Sequence, residues 1–275
     1  MAKIPGIPFV EGRNDYTDVD GKKFGIAIHN TSNNASDSAE AAYAIRRTDG
    51  VSSHLYVDKD SVTQSLDTRV RAGHAGSREG NENAIAVEIT GGNGMSRAWW
   101  LANVAWDKLG RALGWLIVHD PDYKGFRVER ATVAQMRANP KIRALYSHDD
   151  MRRAWGGTTH TDPGPGFPWD KLISAINAGI KTAGGTSSPA TPASAVPAWP
   201  GRTFTYASGR TTMRGGDIKT WQEQMHRRGW TIAVDGAYGP QSRSVAVAFQ
   251  KEKRLTVDGK VGRQTWTAAW TKPIT

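Results

Sequence analysis

The chain has 275 residues, 38% of them hydrophobic and 23% charged, enough for two modest domains that each bury a core. No run of about 18 apolar residues occurs, so no membrane-spanning helix is expected, and the start, MAKIPGIPFVEGRNDY, lacks the basic-then-apolar layout of an export signal. Cysteine is absent, which excludes disulfides and thiolate metal sites and leaves any metal to histidines and carboxylates.

Strand-like and helix-like segments alternate from the start. KFGIAIHNT reads as a strand, Asp37 to Arg47 as a helix with Asp37 and Glu40 in capping-box spacing, and SSHLYVD and NAIAVEITG as two further strands. From Arg97 to His119, Trp100, Leu101, Val104, Leu109, Leu113 and Leu116 recur near helical spacing, which predicts one helix that also carries Trp99, Trp106 and Trp115. KIRALYS offers a last short strand just before His148. The pattern predicts an α/β domain, with helices packed on a mixed central β-sheet.

Between Thr182 and Pro200 the sequence TAGGTSSPATPASAVPAWP has no charge and no periodic apolar face, and reads as a flexible linker. Beyond it, DGAYGPQS and DGKVGRQT repeat the pattern D-G-x-x-G-x-Q-[ST] with a period of 23 residues. Each copy predicts a turn followed by a helix with Ser242 or Thr265 as its N-cap. With a helix around Ile218 to Arg228 this makes a small all-α domain of three helices. The turns lack the alternate Asp or Asn ligands and the distal Glu of a calcium loop. The expected organisation is a first domain over 1–181, a linker over 182–200 and a second domain over 201–275. Residues from Pro200 onward hold 13 Lys+Arg against 5 Asp+Glu, so most of the formal charge of +10 belongs to the second domain and predicts an anionic partner. Charge by itself does not choose among nucleic acid, membrane surfaces and acidic wall polymers.

Three side chains could meet around a metal. His29 ends the apolar run IAIH, where a strand gives way to a polar loop, and His148 follows a predicted strand. Asp162 lies 14 positions after His148 in the turn-rich stretch THTDPGPGFPW. Two imidazoles and a carboxylate suit zinc, with a fourth position left for water.

IAIHNT, SSHLYVD, NAIAVEITG, and SHDDM followed by THTDPGPGFPWD resemble, in order and over most of residues 22–175, the zinc N-acetylmuramoyl-L-alanine amidases related to phage endolysins and peptidoglycan recognition proteins. The resemblance implies His29, His148 and Asp162 as Zn2+ ligands, with Asp162 where many phage members have Cys. It implies Glu88 as the general base, which fits a carboxylate flanked by Val87 and Ile89 and therefore facing away from their layer. His160 falls where many relatives carry a Lys that stabilises the oxyanion. His160 either donates a hydrogen bond there or is itself the third metal ligand, with Asp162 behind it. RAGHAG matches the Trp-His-Ala-Gly motif of the family except for Gly73, and places His74 in the cleft as a substrate contact. Trp155, in a loop about four residues longer than in typical relatives, is the aromatic candidate for touching substrate. His54 is read as structural or as a residue behind the metal ligands, and His119 and His226 as surface or helix-end residues.

RGGDIKTWQEQM, DGAYGPQSRSVAVAFQ and LTVDGKVGRQTW resemble the three-helix peptidoglycan-binding domain of wall hydrolases. No helix dense in Arg, Lys, Asn and Gln speaks for nucleic acid. Together the resemblances imply a monomeric phage endolysin. It would cut the amide between N-acetylmuramic acid and L-alanine after release from the host cytoplasm through a holin pore, without inserting into the membrane. The alternatives are a non-catalytic wall receptor and a stem-peptide endopeptidase, for which no H-x-x-E-H or H-E-x-x-H helix is present.

Overall fold

The computed structural model describes residues 3–12, 21–185 and 196–272, so part of the expected linker lies outside the described residues. The chain divides into two compact units, Met1–Ser188 and Pro189–Thr275.

The first unit contains, in chain order, β1 (Gly25–Asn30), α1 (Asp37–Arg46), β2 (Leu55–Val57), β3 (Val62–Gln64), α2 (Arg78–Asn83) and β4 (Ala84–Ile89). It continues with α3 (Arg97–Ala102), α4 (Trp106–His119), α5 (Val133–Ala138), β5 (Leu145–Ser147), α6 (His148–Trp155) and α7 (Trp169–Thr182). The strands form one sheet in the order β3-β2-β4-β1-β5, parallel except for β3. Every residue of β1 is buried, as a parallel strand covered on both faces requires. The α/β class expected from the sequence is the one observed. Among the described residues no helix is long and apolar enough to cross a membrane.

Two local expectations need correction. The helix cap before α1 is Ser36, whose hydroxyl accepts from Ala39 N, while Asp37 turns inward to accept from the Thr63 hydroxyl at 2.8 Å. The single helix expected over 97–119 is two, α3 and α4. Asn103 caps α3 and Ala105 N bonds to Asp58 O at 2.8 Å, so a contact with the β2 end outweighs continuous helical periodicity. The helices α4 and α7 then cross with no room for a side chain at Gly110, Gly114 and Gly179.

The second unit holds α8 (Gly216–Arg227), α9 (Pro240–Glu252) and α10 (Arg263–Thr271), packed around Phe204, Ile218, Trp221, Tyr238, Phe249 and Trp266. Ser242 and Thr265 are not N-caps, since Gly239 and Gly262 hold those positions. Instead each hydroxyl is buried against a glutamine of the preceding helix, Gln222 with Ser242 and Gln250 with Thr265, both at 3.1 Å. Gln222 Nε2 also donates to Asp235 Oδ1 and Ala237 O, and its Oε1 accepts from Asp235 N and Gly236 N. Gln250 repeats the scheme with Asp258, Lys260 and Gly259. The echo in sequence is thus a repeated glutamine clasp. Of the two histidines expected at the surface or at helix ends, His226 is at a helix end, buried in the last turn of α8, and His119 ends α4 and is exposed.

Candidate metal centre and active-site cavity

The sheet register assembles one wall of the site. Tyr56 on β2, Glu88 on β4 and His29 on β1 are direct neighbours across three parallel strands, so their side chains leave the same face. Val87 and Ile89 point to the other face and are fully buried. Beyond β1, β5 ends at Ser147 and α6 begins at His148. The start of α6 is fixed by a capping box, in which Ser147 Oγ accepts from Asp150 N and Asp150 Oδ2 accepts from Ser147 N. A buried ion pair from Arg130 to Asp150, 2.8 Å long, holds that box in place, with the guanidinium 4.3 Å over the Trp169 ring.

His29, His148 and Asp162 converge. The two Nδ1 atoms are 3.0 Å apart, and the Asp162 carboxylate lies 3.4 Å from His29 Nδ1 and 3.3 Å from His148 Nδ1. All three residues are buried, and among the described residues they are the group that could hold a metal ion. His160 stands beside them. Its ring centroid is 4.9 Å from that of His148, its Nδ1 is 3.8 Å from Asp162, and its side chain is 68% exposed. Asp162, not His160, therefore completes the triangle.

Electrostatics separates these groups. Burial opposes the charge on Asp162, but hydrogen bonds from His148 and His29 outweigh it and hold the carboxyl far below the ordinary carboxylate range. Burial lowers His29 against the raising effect of Asp162. Glu88 moves the other way: burial, then the charge of Asp162, pushes its carboxyl up to about 8. Ser53 hydrogen-bonds to both Glu88 and Tyr56, while Glu88 Oε2 has no hydrogen-bond partner among the described residues.

These residues line a cavity of about 870 Å³. One side is a face of α1 and the residue after it, carrying Glu40, Tyr43, Ala44 and Arg47; the other includes His74, Gly76, Gly157 and Thr158. Trp155 is not among the lining residues. It ends α6 and packs edge-on against Tyr146 at the rim of an apolar cluster, because helical geometry continues through it where a loop was expected. His54 is buried between Val70 O and Ala86 N, bonded at 2.9 Å to each, and is held neutral by that burial. Sequence reasoning missed Ser53 and Tyr56. The alternation that singled out Glu88 between two core residues also singles out Tyr56 between Leu55 and Val57.

Fold and donor set define a class: a mostly parallel sheet with a His-His-Asp metal-binding group at its strand ends and a raised carboxylate beside it. The family model described as "N-acetylmuramoyl-L-alanine amidase" matches residues 21–165, more than half of the chain, and the chain belongs to that family. The model described as "Putative peptidoglycan binding domain" matches residues 214–269 in the second unit. Protein Ami of Listeria monocytogenes is 27% identical over 172 residues, which are 60% of this chain and 17% of that protein. The N-acetylmuramoyl-L-alanine amidase XlyB of Bacillus subtilis is 42% identical over 67 residues, 23% of this chain and 21% of that protein. The chain thus matches about a fifth of the length of either relative. The crystal structure of the Staphylococcus aureus hydrolase AmiA with its ligand has a TM-score of 0.49 at 20% identity, covering 68% of this chain and 89% of that one.

Proposed function

We propose that the first unit is a zinc-dependent N-acetylmuramoyl-L-alanine amidase that hydrolyses the amide between N-acetylmuramic acid and L-alanine in peptidoglycan. The observation that carries the metal is the donor triangle. Its edges of 3.0, 3.3 and 3.4 Å are close to the ~3.3 Å separating ligands of a tetrahedral zinc with bonds of about 2.0–2.1 Å. Two nitrogens and one oxygen suit zinc and leave a fourth position open. Bound there, zinc supplies a Lewis acid that polarises the amide carbonyl and acidifies water.

The residues around the triangle supply the rest. Glu88 takes the proton of the attacking water at its carboxylate and returns one to the leaving amine; its raised pKa makes the carboxylate a stronger base than an exposed one. Ser53, just before β2, steadies that carboxylate. His160, exposed at the cavity rim, donates to the oxygen on which charge develops. His74 faces the same cavity from the opposite loop.

In the same reading 1–181 is the catalytic domain, 182–200 the linker and 201–275 the wall-binding domain. The excess of Lys and Arg in the last part attracts anionic wall material, and the tether raises the local concentration of substrate. Pairing these two activities in one monomeric chain suits a phage endolysin that reaches the wall through a holin pore.

The test is digestion of purified peptidoglycan by the zinc-loaded chain, with new ends identified by mass spectrometry. Free L-alanine amino termini without new reducing sugars are expected. Ends inside the stem peptide would make the chain an endopeptidase, and no new ends would leave a wall receptor.

A further inference from the structure

The proposed chemistry leaves His74 with no defined task, although it is buried and its ring meets that of His29 edge-on, with centroids 5.0 Å apart at 88°. We propose that His74 is a positioning residue for the metal centre, accepting the Nε2–H of His29 at its own Nδ1 and so fixing the tautomer that frees His29 Nδ1 to bind the ion. The proposal rests on the metal-dependent reading above.

A neutral imidazole carries one proton, and a metal-binding nitrogen must offer its lone pair. In the donor triangle His29 uses Nδ1, so its proton belongs on Nε2. That atom lies 2.9 Å from His74 Nδ1, within hydrogen-bond reach. An acceptor at this place orients the ring and raises its basicity, as carboxylates and carbonyls do for other metal-bound histidines. To accept, His74 Nδ1 must offer its lone pair, and that atom faces His29 Nε2 from a buried ring.

His74 is itself held in place. Asn81 Oδ1 accepts from the backbone N–H of both His74 and Ala75, at 2.9 and 2.8 Å. One residue further, Gly76 at φ +66° meets Gly157 at φ +79°, so closely that a Cβ on either would strike the backbone of the other. This contact ties the His74 loop to the segment that leads to Asp162. With Nδ1 accepting, the His74 proton sits on Nε2, a buried atom with no hydrogen-bond partner among the described residues. A buried donor left unpaired works against folding, which is consistent with a residue placed for His29.

The experiment uses the full-length, metal-stripped chain. Zinc affinity is measured by competition with a chromophoric chelator for wild type, His74→Ala and His74→Asn, and the His29 tautomer is read from its ring ¹⁵N shifts in wild type reloaded with zinc. His74→Ala should bind zinc about 10–100-fold more weakly. His74→Asn, whose Oδ1 can accept near the place of Nδ1, should recover most of that loss, and His29 should carry its proton on Nε2. Equal affinity of His74→Ala and wild type, equal weakness of both variants, or a His29 proton on Nδ1 would each overturn the proposal. The tautomer reading needs no variant to fold. A wild type that binds no zinc would instead overturn the metal-dependent reading beneath it.

Discussion

The clasp of Gln222 in the second unit and the wall of the cavity in the first both bury polar side chains, with opposite outcomes. Gln222 spends its amide on five partners within its own unit, all at 3.1 Å or less. Around the metal triangle, Glu88 Oε2, His74 Nε2 and His148 Nε2 are buried without partners among the described residues, and Glu88 and Asp162 repel each other. A satisfied buried amide fixes a turn and needs nothing further. An unsatisfied set of ionisable groups sacrifices stability, and the return comes when a ligand arrives.

Several substitutions probe that contrast, beginning with the largest effect. Glu88→Gln keeps the shape of the wall but removes the base, and should lower kcat on peptidoglycan about 10²–10⁴-fold with zinc still bound, measured by amine release and metal content. Near-wild-type turnover would show that the raised carboxylate is idle. Gln222→Leu strips the partners from two loop N–H groups and should destabilise the second unit by about 2–4 kcal/mol, read from chemical denaturation of the whole chain.

A third effect depends on pH. In the metal-free fold Glu88 holds its proton up to about 8, whereas its ordinary value is 4.5, so folded protein binds the extra proton between those limits. Stability from this group is therefore present below pH 4.5 and lost as pH rises to 8. Glu88→Gln should melt higher than wild type at pH 8, by about 2–4 °C for each 1 kcal/mol recovered, and the gain should vanish by pH 4.5. An equal gain at both pH values would place the strain elsewhere. Smallest of all, Ser242→Ala should cost the second unit about 1 kcal/mol, since its hydroxyl joins the clasp but Gln222 keeps its other bonds.

Much of the first unit was legible because parallel strands buried on both faces write continuous apolar runs, as in IAIH and AIAVEI. β3 was missed, since three residues carry no period of their own. The break between α3 and α4 and the true positions of Ser242 and Thr265 were illegible for one reason: each is decided by a partner far along the chain, Asp58 for the break and Gln222 or Gln250 for the hydroxyls. The meeting of His29, His148 and Asp162 was suggested by their places at strand ends and in a turn-rich stretch, and singled out by family likeness; no local period contains it. Trp155 was misplaced because its segment, rich in charge and followed by two glycines, reads as loop while it closes α6.

The backbone kiss between Gly76 and Gly157 has an evolutionary corollary. Because neither position tolerates a side chain while the other stays put, a loop exchanged from a relative into residues 156–162 would fit only if the Gly76 turn travelled with it. Chimaeras built in this family should inherit the two segments together or lose the pocket between them.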